Sequence, residues 1–278
     1  MAVVNTKELI KTALENKMII PAFNVHNIEM CRSILEAAEE ENYPVIIQST
    51  PKSIELSGYK VLYSVVKEMA EKKNVLCALH LDHGKKFENA REAVFSGFNS
   101  VMIDGSMLEY KENVRLTKET AEFAHILGIM VEAELGEISG KEDEGEVEEK
   151  NNFTSAELVE DFHKKTNCDI LAVSIGNSHG LEKKKLNFQL LKEIREKTDV
   201  PLVIHGGSGI GEEDLKYLKE YKIVKINFSS ELKQKMIETY GKVYMENNNE
   251  YDIVTTTNKV LEEVKKVVKN KIRILKSN

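Results

Sequence analysis

The pentapeptide HLDHG at positions 80–84 brings two imidazoles and a carboxylate close together in the chain. It follows the apolar run 75–79, which is typical of a strand buried on both faces. The two-residue period of a strand puts His80 and Asp82 on one face, and His83 falls at the end of the strand. Such a group binds a metal or performs acid–base chemistry, although a single histidine at a strand end is more often structural.

Two more histidines follow apolar runs further along the chain. His179 lies in the stretch GNSHG, and His205 directly precedes a glycine-rich turn. Three neutral imidazoles with an open fourth position form the ligand set of a catalytic zinc site. We therefore predict that His83, His179 and His205 bind zinc, whereas His80, deeper in its strand, supports the ligands instead of joining them.

Two carboxylates, Asp104 and Glu134, also lie at predicted strand ends. They could hold a second divalent cation or orient the histidines. Ordinary hydrogen bonds to neighbouring loops explain them equally well, so both interpretations stay open.

Two turns of small and polar residues precede helices near the end of the chain. The turn GGSG covers 206–209, and NFSS covers 227–230. Backbone N–H groups at a helix start attract anions, so these two turns predict a phosphate site. Glycines that merely allow a tight turn are the alternative.

The elements that must position these residues alternate between strand and helix. Predicted strands cover 18–25, 44–49, 75–82, 100–104, 130–135, 170–175, 201–205 and 223–227. Predicted helices cover 28–40, 60–72, 87–95, 111–127, 155–165, 188–197, 212–219 and 230–245. Eight such units predict a single (β/α)8 TIM barrel over 1–278, with an extra N-terminal helix and a C-terminal helix at 258–272. A doubly wound sheet would need a glycine turn after the first strand, which the sequence lacks.

Two further features bear on the mechanism. The segment 136–152 is long, acidic and follows the fifth strand, so we expect it to form an active-site lid, with a solvated insertion as the alternative. Lys225 shares the strand parity of Asn227 and points into the predicted barrel. An interior lysine is typical of Schiff-base aldolases, which makes it a rival to the metal mechanism.

Composition excludes several classes of partner. The formal net charge of −7 argues against nucleic acid or an anionic membrane as the main partner. Three cysteines without a CxxC spacing indicate a reducing compartment. With no run of about 18 apolar residues, we expect a cytoplasmic protein that does not contact membranes.

Four ordered motifs resemble those of the class II, metal-dependent ketose-bisphosphate aldolases: HLDHG at 80–84, SVMIDGS at 100–106, VEAELG at 131–136 and HGGSGI at 205–210. The stretches 21–27 and 44–51 look closer to the tagatose-bisphosphate branch than to the main fructose branch. The resemblance extends from about residue 7 to the last helix. It implies reversible cleavage of fructose or tagatose 1,6-bisphosphate to dihydroxyacetone phosphate and glyceraldehyde 3-phosphate, within carbohydrate metabolism such as glycolysis.

The resemblance also assigns roles to individual residues. It implies zinc held by the three histidines, Asp82 as the acid–base group at the C4 oxygen, and Glu142 of the lid as the carboxylate that moves a proton at C3. Asp104 and Glu134 match the positions of a second metal, and a monovalent cation (Na+ or K+) near the phosphate and a homodimer or homotetramer are implied. The matched substrate-binding positions are Asn24, Thr50, Gly180, Gly206, Gly207, Ser208, Asn227, Phe228, Ser229 and Ser230.

The sequence departs from the family at the aldehyde end. Many relatives carry Asp-Pro-Arg near the C-terminus, with the arginine close to the second phosphate, whereas 248–252 reads NNEYD. One lysine of 183–185 could supply the missing charge. A related aldolase that joins dihydroxyacetone phosphate to a different aldehyde is therefore an alternative. A non-catalytic phosphosugar-binding barrel is a weaker one, because binding alone needs neither Asp82 nor Glu142.

Overall fold

The computed structural model describes residues 3–73, 75–143, 145–147, 152–249 and 251–277, with the backbone alone at 142, 146 and 147. The strands are β1 (Ile20–Asn24), β2 (Val45–Ser49), β3 (Cys77–Gly84), β4 (Ser100–Ile103), β5 (Met130–Leu135), β6 (Ser139–Glu142), β7 (Gly145–Val147), β8 (Ile170–Val173), β9 (Ser178–His179), β10 (Leu202–Ile204) and β11 (Ile223–Phe228). The helices are α1 (Thr6–Glu15), α2 (Ile28–Glu41), α3 (Pro51–Ile54), α4 (Tyr59–Glu71), α5 (Phe87–Ser96), α6 (Tyr110–Ile126), α7 (Ala156–Thr166), α8 (Phe188–Lys197), α9 (Glu212–Tyr217), α10 (Ser230–Glu246) and α11 (Ile253–Lys276).

Eight of these strands close into a barrel in the order β1-β11-β10-β8-β5-β4-β3-β2. Neighbouring strands run parallel, and each is followed by a helix before the next barrel strand begins. This confirms the predicted (β/α)8 barrel with α1 before it and α11 after it. Parallel pairing brings the carboxyl ends of all eight strands to one mouth, where the predicted site residues follow them.

The strands are apolar on both faces because they separate two layers of core. Ala78 of β3 lies in the layer inside the barrel, where Leu9 and Ile10 of α1 also pack. Leu79 and Leu81 lie in the layer between the barrel and its helices. The alternation predicted for β3 is therefore confirmed, and it leaves the polar side chains of this strand facing the barrel interior.

The lid segment contains secondary structure that the sequence analysis did not predict. Strands β6 and β7 form an antiparallel hairpin, and β6 also pairs in parallel with β9. Gly140 pairs with His179 and has a φ of 106°, and a Cβ there would meet the His179 carbonyl oxygen at 2.2 Å. Glycine is thus required where the hairpin contacts the strand of a predicted zinc ligand. Residues 144 and 148–151 of the segment lie outside the described residues.

Several element ends differ from the predicted ones. Helix α11 begins at Ile253, five positions before the expected start, because Asp252 caps it by accepting a hydrogen bond from Thr255 N at 3.0 Å. The short helix α3 was missed, although Pro51 at its first turn and Thr50 at its N-cap are typical starting residues. Among the described residues, no helix combines the length and the apolar character needed to span a membrane.

Two leucines of α1, one buried and one exposed, allow a matched test of the packing inside the barrel. Leu9 is 3% exposed and packs inside the barrel, whereas Leu14 of the same helix is 40% exposed. We expect Leu9→Ala to lower the free energy of unfolding by about 2–4 kcal/mol, since it removes buried methyl groups and leaves a cavity. Leu14→Ala should cost less than about 1 kcal/mol. Urea unfolding of both variants measures this, and equal losses would show that α1 does not close the barrel core.

Candidate active site

Three histidine rings meet at the carboxyl mouth of the barrel. His83 ends β3, His179 ends β9, and His205 follows β10. The ring centroids lie 4.7 Å apart for His83 and His205, and 5.4 Å apart for His83 and His179. One nitrogen from each ring lies within 4.8 Å of the others. The structure thus brings the three predicted zinc ligands together.

The backbone explains how His83 joins Asp82 at the same site. Strict alternation would turn adjacent side chains to opposite faces of the strand. The pairing of β3 with β4 shifts register between Leu81 and Gly84, and His83 has a φ of 46°. A left-handed residue at a bulge re-aims its side chain. This local departure from the strand geometry lets two neighbouring residues face one centre.

Buried carboxylates fix the orientation of two of these rings. Nδ1 of His83 lies 2.7 Å from Oδ2 of Asp104, and Nε2 of His205 lies 2.9 Å from Oε1 of Glu132. With those nitrogens acting as donors, Nε2 of His83 and Nδ1 of His205 are the ones left to bind a metal. Nδ1 of His205 is buried and makes no hydrogen bond to the described residues, although Oε2 of Glu134 lies 3.4 Å from it. This arrangement fits a zinc site.

Asp104 and Glu134 border the same centre. Together with His83, the two carboxylates form a second group of potential metal ligands. Asp104 is also in contact with the ammonium of Lys85. Burial alone would raise the pKa of Asp104, but the hydrogen bond from His83 and the charge of Lys85 hold that pKa well below its usual range. Asp104 is therefore an ionised partner of His83, and its binding of a second metal stays a prediction.

Below the histidines, Glu132 balances an interior cation. Its Oε2 lies 2.9 Å from Nζ of Lys225 and 3.5 Å from Nε2 of His80, and all three side chains are buried. Burial alone would raise the pKa of Glu132, but Lys225 and His205 hold it well below its usual range. Burial, together with the charge of Lys225, lowers the pKa of His80 well below its ordinary value. His80 thus sits beneath the ligands, as predicted.

This ion pair bears on the Schiff-base alternative. Lys225 does point into the barrel, as its parity predicted, and it is fully buried. A Schiff-base lysine must present its amine to the substrate carbonyl, whereas Nζ of Lys225 is held in an ion pair 2.9 Å from Oε2 of Glu132. The contact with Glu132 therefore argues against Lys225 as a nucleophile.

Asp82 is held by two amides at the centre of the mouth. Asn24 Nδ2 donates to its Oδ2 at 2.7 Å, and Asn227 Nδ2 donates to its Oδ1 at 3.1 Å. Gln48 Nε2 in turn donates to Oδ1 of Asn24 at 2.9 Å. Gln48 was not predicted as a site residue, although a single amide in the apolar run VIIQS indicates a buried hydrogen-bonding position. Asp82 is thus fixed between the ends of β1 and β11.

The glycine-rich turn lies against the start of α10. Gly207–Gly209 forms a 3₁₀ turn, and Ser208 Oγ accepts a hydrogen bond from Glu231 N at 3.3 Å. Gly206 has a φ of 69°, and a Cβ there would meet the Ser178 carbonyl oxygen at 2.1 Å. Ser229 and Ser230 begin the helix. Small residues thus bring backbone N–H groups of the turn beside a helix start, which suits an anion.

The remaining predicted substrate-binding and catalytic residues have different surroundings in the structure. The side chain of Phe228 is fully buried and stacks on Phe23 at 5.6 Å, which leaves its backbone as the part available to a substrate. Gly180 has a φ of 117° and open space where a Cβ would lie. Thr50 contacts Asp143 of the lid, as described below. The side chain of Glu142 lies outside the described residues.

Comparison with known proteins identifies the family of the chain. Residues 4–278 match the family model described as fructose-bisphosphate aldolase class-II. The chain belongs to this family. Class II aldolases are carbon–carbon lyases, so the protein is an enzyme of that class.

Solved structures of this class II aldolase family share the barrel. The YdjI aldolase from Escherichia coli K12 is 34% identical, with a TM-score of 0.86 over 99% of this chain and 98% of that chain. A candidate fructose-1,6-bisphosphate aldolase from Coccidioides immitis is 28% identical, with a TM-score of 0.87 over 98% and 96%. A fructose-bisphosphate aldolase from Campylobacter jejuni, 22% identical with a TM-score of 0.82 over 99% and 95%, shares the fold.

The buried pair in this class II aldolase can be tested apart from catalysis. Lys225→Met leaves the carboxylate of Glu132 uncompensated and should lower the free energy of unfolding by about 3–5 kcal/mol. The double variant with Glu132→Gln is uncharged at both positions and should recover much of that loss. Urea unfolding in chelator measures both without a contribution from metal. The exposed pair Lys222 and Asp199 supplies control variants with little effect. Additive losses in the double variant would show that the pair is not coupled.

Proposed function

We propose that this protein is a zinc-dependent aldolase that reversibly joins dihydroxyacetone phosphate to an aldehyde. The observation that carries the proposal is the convergence of three imidazole nitrogens beside the amide-held carboxylate of Asp82. A zinc ion held by His83, His179 and His205 would polarise the ketone and stabilise the negative charge that develops at C3 when the C3–C4 bond breaks.

The chain's own residues supply proton transfer and orientation. Asp82 takes the proton from the C4 hydroxyl during cleavage and returns it to the aldehyde oxygen during condensation. Asn24 and Asn227 donate to both of its oxygens and so keep the carboxylate pointing at the reacting atom. Glu142 moves the proton at C3. Closure of the lid, 136–152, keeps water away from the carbanion.

The phosphate of dihydroxyacetone phosphate binds at the mouth beside β10 and β11. Backbone N–H groups of the turn 206–209, the hydroxyls at the start of α10 and the backbone of Gly180 are its donors. Asp104 and Glu134 are the ligands of a second divalent cation, and a monovalent cation lies near the phosphate. These assignments rest on family resemblance together with the turn and helix-start geometry described above.

Fructose 1,6-bisphosphate and tagatose 1,6-bisphosphate are the substrates that the family resemblance supports. We place the enzyme in the cytoplasm, in carbohydrate metabolism such as glycolysis, as a homodimer or homotetramer. One observation favours the second candidate, a different aldehyde: the stretch 248–252 contains no arginine that could bind a second phosphate. A purely binding role is disfavoured, because binding a phosphosugar does not need a fixed carboxylate beside three imidazoles.

Metal removal tests the mechanism. Dialysis against a chelator should abolish cleavage of both bisphosphates, and added zinc or cobalt should restore it, because the proposed mechanism uses the metal to polarise the ketone. Borohydride with substrate should leave Lys225 unmodified. Full activity in chelator, with a covalent adduct on Lys225, would contradict the zinc mechanism.

The role of Asp82 predicts a loss in turnover that is separable from metal binding. Asp82→Ala should lower kcat by about 10²–10⁴, the range for loss of general acid–base help. Bound zinc, measured by atomic absorption, should stay near one per chain, because none of the three ligands changes. Gln48→Ala is the positioning control: it removes the donor behind Asn24 and should lower kcat less. Unchanged kcat in Asp82→Ala would remove its assigned role.

A further inference from the structure

Four donors from three segments of the chain surround the carboxylate of Asp143 in the predicted lid. Three converge on Oδ2: His26 Nε2 at 2.8 Å, Ser53 Oγ at 3.2 Å and Thr50 Oγ1 at 3.4 Å. Lys233 Nζ of α10 lies 2.8 Å from Oδ1. We call His26, Thr50, Ser53 and Lys233 the anion cluster. An imidazole, two hydroxyls and an ammonium are the groups that proteins use to bind phosphate or carboxylate.

The carboxylate of Asp143, a group of the protein itself, occupies the anion cluster. Its side chain is 14% exposed, and that of Lys233 is 29% exposed. Burial alone would raise the pKa of Asp143, but the hydrogen bond from His26 and the charge of Lys233 hold that pKa well below its usual range. The carboxylate is therefore ionised at neutral pH. An incoming anion would meet a like charge and donors that are already used.

The anion cluster lies where the aldehyde half of a substrate would extend. His26 follows Asn24 by two positions at the end of β1, and Thr50 follows Gln48 by two at the end of β2. Asn24 donates to Asp82, while the candidate pocket for the first phosphate lies beside β10 and β11. On the proposed function, Asp82 serves the C4 oxygen. The carbons beyond C4 then extend away from the first phosphate, towards β1 and β2.

We propose that Asp143 makes this enzyme select an aldehyde whose far end is uncharged, such as a hydroxyaldehyde without phosphate. This inference rests on the proposed function and specifies its second substrate. In condensation, C3 of dihydroxyacetone phosphate loses a proton to Glu142 and bonds to the aldehyde carbon, and the aldehyde oxygen takes a proton from Asp82. A neutral hydroxyl can donate to Asp143 and fit among the donors, whereas a phosphate is repelled. The absence of arginine from 248–252 agrees with this selection.

The experiment measures condensation of dihydroxyacetone phosphate with racemic glyceraldehyde and with racemic glyceraldehyde 3-phosphate, using zinc-loaded enzyme. The quantity compared is the ratio of kcat/KM for the phosphorylated aldehyde to that for the unphosphorylated one. The wild-type ratio should be below one. Asp143→Asn should raise it about ten- to hundredfold, because it removes the like charge and frees the donors. Adding Lys233→Gln to Asp143→Asn should reverse most of that gain.

Matched variants separate selection from general damage to the lid. A ratio cancels any loss of closure that lowers turnover with both aldehydes alike. Asp199→Asn makes the same substitution at a side chain that is 98% exposed and should leave the ratio unchanged. If Asp143→Asn does not fold, Asp143→Ser keeps the test. Inorganic phosphate, assayed as a competitor of glyceraldehyde at saturating dihydroxyacetone phosphate, should inhibit Asp143→Asn more strongly than the wild type.

Two results would contradict the inference alone: a wild-type ratio above one, or a ratio in the Asp143 variants within twofold of the wild type. Either of them would leave the aldolase reaction itself intact. Absence of condensation with both aldehydes in the zinc-loaded wild type would instead contradict the proposed function, and the inference would fail with it.

Discussion

The site depends on the pairing of buried imidazoles with buried carboxylates. Asp104 holds His83, and Glu132 holds His205, so the remaining nitrogens of both rings face one centre before any metal arrives. A carboxylate deep in a barrel is costly unless its charge is balanced. Lys225 provides that balance for Glu132. The interior Lys225 therefore neutralises the carboxylate that orients His205, which is a different role from Schiff-base chemistry.

Most of the barrel was predictable because its strands are buried on both faces. Burial of that kind leaves an apolar run in the sequence, as in the run that precedes the HLDHG motif. The hairpin of β6 and β7 has no apolar run in the sequence from which it could have been predicted. β6 reads SGKE, and its pairing with β9 depends on a contact between segments far apart in the chain. The early start of α11 was missed because Ile253 and Val254 are exposed and carry no periodic signal.

Site residues that directly follow the end of a predicted strand could be predicted from the sequence. His83, His179 and His205 could be grouped because parallel strands finish at the same mouth. Residues that contact the site only through another side chain could not be predicted from strand ends. Glu132 reads as one more strand-end carboxylate, and Lys233 reads as an ordinary surface lysine of an amphipathic helix. Only the fold shows that one faces His205 and the other faces Asp143.

The hairpin of β6 and β7 contacts both a histidine proposed to bind the metal and the anion cluster proposed to face the aldehyde. At one end, Gly140 pairs with His179, so the hairpin is fixed beside a predicted zinc ligand. At the other end, Asp143 docks on the anion cluster near β1 and β2. The backbone of Glu142 lies between these two attachments. If Glu142 moves the C3 proton, its position depends on the same contact that selects the aldehyde. On this design, a substitution of Asp143 that admits a charged aldehyde also removes contacts that hold the hairpin carrying Glu142.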